Sequence, residues 1–144
     1  IQVLWQCGKG YFDSLNALSL PAHVKLLPFI ERMDLAYAVA DVVVSRAGAL
    51  SISELCLVGK PAILVPFPYA SEDHQTHNAM SLVKEKAAQM IADKNVVTEL
   101  FPMIEKLIAN KTVLSEMQTK IKSFAWENAD QVIAAEIIHE IDSK

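Results

Sequence analysis

Residues 40–54 read Ala40-Asp41-Val42-Val43-Val44-Ser45-Arg46-Ala47-Gly48-Ala49-Leu50-Ser51-Ile52-Ser53-Glu54. A β-branched run gives way within four residues to a small-residue bend and then to a helical pattern. A strand over 41–45 therefore feeds a helix over 50–58, which stops at Gly59 with Pro61 just beyond. Gly48 and its alanine neighbours keep side-chain bulk away from the bend, so a ligand can approach the backbone closely. The first amides of a helix lack internal partners, and the helix dipole adds partial positive charge there. Such a bend suits a diphosphate on Gly48, Ala49, Leu50 and Ser51, with Arg46 beside them and a hydroxyl donor on Ser51. Glu54, one turn on, can accept two hydrogen bonds from a vicinal diol such as a ribose. The competing reading is an unliganded strand–turn–helix connection, with Arg46 in a structural ion pair and Glu54 as a solvated carboxylate.

The same rhythm extends both ways. Short apolar runs at 1–6, 24–27, 62–66 and 89–92 alternate with helical patterns at 11–18, 31–40 and 74–85. Strands alternating with helices predict βαβ units and a parallel sheet, with strands covered on both faces. After residue 92 only helices follow, over 98–109, 112–125 and 129–141, with Thr98 and Thr112 as expected caps. The last carries Val132, Ile133, Ile137, Ile138 and Ile141 on a broad apolar face that should pack against something.

Two more segments lie where open α/β sheets bind ligands, beyond strand C-termini. In Asp73-His74-Gln75-Thr76-His77-Asn78, helical spacing puts His74 and Asn78, and Gln75 and Asn78, on one face. Amides and imidazoles both donate and accept, which suits sugar hydroxyls. A polar first turn capped by Ser71 or Asp73 explains the segment equally well. A metal on His74 and His77 has no further ligand set nearby, so no metal is expected. In Pro28-Phe29-Ile30-Glu31-Arg32-Met33, an apolar turn with free backbone groups could hold a flat base, or Phe29, Ile30 and Met33 could simply be core.

Bulk properties narrow the function classes. With 144 residues and 52% hydrophobic content, the chain is long enough for one domain with a real core. A net charge of −4 supplies no global field for nucleic acid, so an anion site must be local. Cys7 and Cys56 lack metal or redox spacing and read as buried reduced thiols. No run approaches the roughly 20 apolar residues of a membrane span. A receiver module needs acidic residues after its first strand, and Gln6-Cys7-Gly8 offers none. No G-x-G-x-x-G run marks a dinucleotide dehydrogenase.

Taken in order, Trp5-Gln6-Cys7-Gly8-Lys9, Pro28-Phe29-Ile30 through Met33, residues 40–49 with Glu54, Gly59-Lys60-Pro61-Ala62-Ile63-Leu64-Val65-Pro66, and Asp73-His74-Gln75 with Asn78-Ala79 resemble the C-terminal domain of the MurG-type UDP-GlcNAc transferases. The resemblance implies a Rossmann-like parallel sheet with helices on both faces, the C-terminal half of a GT-B glycosyltransferase. It implies an inverting transfer of GlcNAc from UDP-GlcNAc to undecaprenyl-diphosphate-MurNAc-pentapeptide (lipid I) in peptidoglycan synthesis, with no cofactor and no metal. By position it puts Ile30 and Met33 at the uracil, Ala49, Leu50 and Ser51 at the diphosphate, and Glu54 at the ribose. His74, Gln75 and Asn78 would contact the GlcNAc, although many members carry Gln where His74 stands.

The chain opens inside a predicted strand, and the family's first strand and Gly-Gly-Ser loop should precede Ile1. Residues 1–144 are thus expected to be a UDP-sugar-binding domain without its N-terminal acceptor domain. That other domain would supply lipid I binding, the contact with the inner face of the cytoplasmic membrane and the general base, so the fragment is expected to bind UDP weakly and not to turn over. The alternatives are the stand-alone half of a split UDP-GlcNAc transferase and a non-catalytic nucleotide-binding module.

Overall fold

The computed structural model describes residues 1–143 and divides into two compact units, Ile1–Ala40 and Asp41–Lys144. In the first, β1 (Val3–Gln6) pairs in parallel with β2 (Val24–Leu27), Val3 opposite Val24 and Gln6 opposite Leu27. Parallel neighbours need a crossover, and α1 (Lys9–Asn16) lies within it. Gly8 enters that helix at φ 84° and ψ 150°, a positive-φ extended conformation that glycine adopts without a Cβ penalty. The unit ends in α2 (Met33–Val39). β1 departs from the expectation of strands covered on both faces: Val3, Leu4 and Trp5 remain 39–44% exposed. Among the described residues, its one hydrogen-bonded neighbour is β2.

The second unit holds three parallel strands in the order β3 (Val43–Ser45), β4 (Ala62–Leu64) and β5 (Gln89–Met90). Val43 stands opposite Ala62, and Ile63 opposite Gln89. α3 (Ala49–Val58) connects the first pair, and α4 (His74–Lys84) lies between the second and third strands. β4 is the central strand and is buried throughout, as its unbroken apolar run requires. Gly59 ends α3 in the left-handed conformation (φ 63°), with its N–H on Cys56 and that of Lys60 on Leu55. That is the chain reversal its position in the sequence predicts.

Beyond β5 come α5 (Val96–Ala109), α6 (Lys111–Lys122) and α7 (Ala129–Asp142). α6 packs on both α3 and α5. Ile63, Ile91, Leu107 and Met117 form a buried cluster, flanked by Val96, Leu100, Ile104 and Val113. The expected threonine caps do not form. α5 begins two residues before Thr98, whose hydroxyl instead donates to the Asn95 carbonyl. Asn110, not Thr112, caps α6 by accepting the Val113 N–H at 3.1 Å. A carboxamide oxygen at the N-cap reaches the third helical amide, whereas a threonine already inside the first turn cannot. The apolar face of α7 is not packed as its sequence predicts: Val132, Ile133, Ile137, Ile138 and Ile141 stay 52–68% exposed. No helix among the described residues is long and apolar enough to cross a membrane.

Candidate functional site

The bend between β3 and α3 is open. Gly48 is the N-cap of α3 and makes no side-chain capping bond. The first intrahelical donor into the cap is Ile52, whose N–H meets the Gly48 carbonyl at 3.0 Å. The Ala49, Leu50 and Ser51 amides precede it, at the positive end of the helix dipole. Gly48 itself is in ordinary extended backbone (φ −66°), and a Cβ there would meet only the Ser51 hydroxyl, at 3.9 Å. Its contribution is therefore clearance and not a special backbone angle. Ala47, by contrast, is fully buried and anchors the bend. Leu50 is 82% exposed and Glu54 is also exposed, on the second turn of the same helix.

Arg46 leaves the end of β3 and crosses the C-terminal ends of its neighbours. Its Nη1 meets Asp93 Oδ1 at 2.5 Å and the Val65 and Pro66 carbonyls at 3.4 Å each. Its guanidinium carbon lies 5.6 Å from the centre of the Phe67 ring, within cation–π range. Phe67 in turn meets Tyr69 edge to face at 5.7 Å.

Both carboxamides expected on α4 are used in part by the protein. Gln75 Oε1 accepts the Phe67 N–H at 3.0 Å, and Asn78 Nδ2 donates to the Ala47 carbonyl at 3.3 Å. These bonds engage the oxygen of Gln75 and the nitrogen of Asn78, so the opposite end of each carboxamide is the end that could meet a ligand. They also tie α4 to the loop after β4 and to the bend after β3. His74 turns its Nδ1 toward the Ser71 carbonyl at 2.5 Å. Neither expected capping residue caps α4. Asp73 Oδ1 instead accepts the Thr76 hydroxyl at 2.6 Å. Glu72 and Asp73 both hold positive φ, at 51° and 54°, so the helix entry carries two strained non-glycine residues.

Ile30 and Met33 belong to the first unit. There the Ile30 N–H donates to Gln6 Oε1 at 2.8 Å. The turn thus differs from the expected one with free backbone groups, because a side chain from the end of β1 occupies one of its donors. Ile30 and Met33 are half-buried and Phe29 is exposed, so this segment is not core. Arg32 pairs with Asp34 at the start of α2 and holds that carboxyl below its usual range. Sequence reasoning missed Asp93 and Phe67 entirely. The one signal for Asp93 was an acid directly after the apolar run at 89–92, a placement too common to single it out.

The sequence and fold have known relatives. Residues 1–133 match the glycosyltransferase family 28 C-terminal domain. The chain is 42% identical over 144 residues to the UDP-N-acetylglucosamine–N-acetylmuramyl-(pentapeptide) pyrophosphoryl-undecaprenol N-acetylglucosamine transferase of Flavobacterium psychrophilum, covering 100% of this chain and 39% of that protein. It is 45% identical over 148 residues to the transferase of the same name from Parabacteroides distasonis, covering 100% of this chain and 40% of that protein. The chain therefore spans about two-fifths of the length of these curated relatives. The crystal structure of Acinetobacter baumannii MurG superposes with a TM-score of 0.85 at 34% identity, over 96% of this chain and 41% of that one. A glycosyltransferase of kitacinnamycin shares the fold alone, with a TM-score of 0.65 at 21% identity over 96% of this chain and 34% of that one. The parallel strands with helical connections, and a family match running from the first strand into the last helix, lead to one assignment: the chain belongs to glycosyltransferase family 28, as its C-terminal domain.

Proposed function

We propose that residues 1–144 act as the UDP-sugar-binding domain of an inverting hexosyltransferase. The donor is UDP-GlcNAc, and the acceptor is lipid I, converted to lipid II in peptidoglycan synthesis. The observation that carries this reading is the uncapped, unobstructed start of α3, with Glu54 one turn later. The Ala49, Leu50 and Ser51 amides take the diphosphate, with Gly48 giving clearance and Arg46 adding positive charge at its side. Glu54 takes the ribose hydroxyls, Ile30 and Met33 the uracil, and His74, Gln75 and Asn78 the GlcNAc.

The chemistry follows from where charge develops. As the acceptor's 4-hydroxyl attacks the anomeric carbon, the sugar–phosphate bond breaks and negative charge builds on the departing UDP. Fixed amides at a helix start stabilise that charge without reorganising, so neither metal nor cofactor is invoked. Attack opposite the leaving group inverts the centre and gives a β1→4 link. The acceptor, the general base and the contact with the inner face of the cytoplasmic membrane are assigned to a further domain, in keeping with relatives two and a half times as long. Support for the donor and acceptor comes from the names the relatives carry.

Calorimetric titration of the chain with UDP, UDP-GlcNAc and ADP tests the reading. Both uridine ligands should bind more tightly than ADP. Equal affinity for UDP and ADP would overturn it.

A further inference from the structure

We infer that Asp93 is a positioning residue for the sugar end of the donor site, acting through Arg46 on the loop whose Phe67 N–H orients the Gln75 side chain. The inference rests on the donor-site reading above.

Arg46 stands at the end of β3, Val65 and Pro66 just past β4, and Asp93 three residues past β5. One guanidinium thus spans the C-terminal ends of all three strands of this sheet. Its two carbonyl contacts are long, at 3.4 Å, and neither would fix a flexible arginine. The contact with Asp93, at 2.5 Å, is the short charge-assisted one. With Arg46 so held, its guanidinium stays over the face of Phe67, 5.6 Å from the ring centre, and beside the Pro66 carbonyl at the start of the loop.

The next bond in the chain is the one that matters for ligand. The Phe67 N–H fixes Gln75 Oε1 at 3.0 Å, which sets where the Gln75 amino group points. Asp93 meets the proposed nucleotide site through Arg46. Its side chain is 38% exposed and that of Arg46 50%, so the pair contributes little to global stability. Its effect is local order at one end of the site. Removing the acid also leaves an uncompensated guanidinium close to the diphosphate bend. The two ends of the donor should therefore respond differently.

The test compares the wild-type chain with Asp93→Ala and Asp93→Asn by titration with UDP and with UDP-GlcNAc, alongside amide spectra of the 15N-labelled proteins. In Asp93→Ala, the ratio of the UDP-GlcNAc to the UDP dissociation constant should rise roughly three- to tenfold, the worth of one well-placed hydrogen bond. UDP affinity should be unchanged or tighter. The Phe67 amide and the Gln75 side-chain amide signals should shift in the free protein. Asp93→Asn keeps an oxygen acceptor and should restore part of the ratio, which also guards against a folding defect in the alanine variant. An unchanged ratio, or equal weakening of both ligands, would overturn the role of Asp93 while leaving the uridine site standing. Wild-type chain that binds UDP-GlcNAc no better than ADP would overturn both.

Discussion

Gln6 Oε1 lies 2.8 Å from the backbone nitrogen of Ile30 and accepts its hydrogen bond across a separation of 24 residues. A base seated on that turn by its edge would compete for the same donor. The carboxamide must then swing out before the base can use it, and the bond it gives up is subtracted from affinity. Gln6→Met keeps the length of the side chain and removes the acceptor. It should tighten UDP binding by about 0.5–1.5 kcal/mol, the net worth of an ordinary hydrogen bond. Gln6→Glu keeps an acceptor and should bind UDP more weakly than wild type. Isothermal titration of the two variants reads both signs, and a Met variant that binds less tightly would contradict the competition.

Glu54 offers a different kind of contact. It is exposed on α3 one turn beyond the bend. If it accepts both ribose hydroxyls, Glu54→Ala should weaken UDP binding by roughly 1–3 kcal/mol. The same variant should lose its discrimination between UDP and its 2′,3′-dideoxy analogue. Affinity measured for both ligands on both proteins closes the cycle. A variant that still discriminates would remove Glu54 from the ribose.

Two helix ends in this chain use the same reversal with opposite residue choices. α3 ends with Gly59 at φ 63°, while α4 ends with Lys86 at φ 57°, its N–H on Val83 and that of Ala87 on Leu82. An L-residue with a Cβ is disfavoured there by roughly 1–2 kcal/mol. Gly59→Ala should lower stability by about that amount, since its Cβ also reaches Lys122 at 3.4 Å. Lys86→Gly should raise stability by about 1 kcal/mol, less the entropy of a freer unfolded chain. Urea denaturation of both variants tests the opposite signs.

Burial pushes the Cys56 thiol above its ordinary range. The folded chain therefore holds that proton to higher pH than the unfolded chain does. Its contribution to stability is whole below the ordinary thiol range and is lost as pH climbs through the raised folded value. At about pH 8, iodoacetamide should label the partly exposed Cys7 well before Cys56. Mass spectrometry of the labelled peptides gives the order, and equal rates would contradict it. Cys56→Ala should flatten the fall in stability on the alkaline side.

Much of the architecture was legible because period and punctuation agreed. The run through Val43 and the pairing of Gly59 with Pro61 fixed a strand, a helix and its stop from local chemistry alone. Strand ends were harder. The apolar run of β4 continues to Val65 and Pro66, yet the strand stops at Leu64, one residue before its last bond to β3, from the Val65 N–H to the Ser45 carbonyl. The caps of α5 and α6 were misplaced because two threonines looked like better caps than the asparagine that forms one. At the site, residue types pointed to Arg46, Gln75 and Asn78, but their protein partners could not be read. Asp93, Phe67 and Ala47 come to them only through the parallel pairing of β3, β4 and β5, and no local pattern encodes that.

The missing cap on α3 has an evolutionary side. Serine, aspartate or asparagine at Gly48 would satisfy an amide the helix leaves unmet and, by the usual preferences, harden the free domain by a few tenths of a kcal/mol. Heat-driven selection on the isolated domain should therefore keep rediscovering that substitution. Each such clone would have spent on itself a donor otherwise turned outward, and would emerge sturdier and emptier-handed.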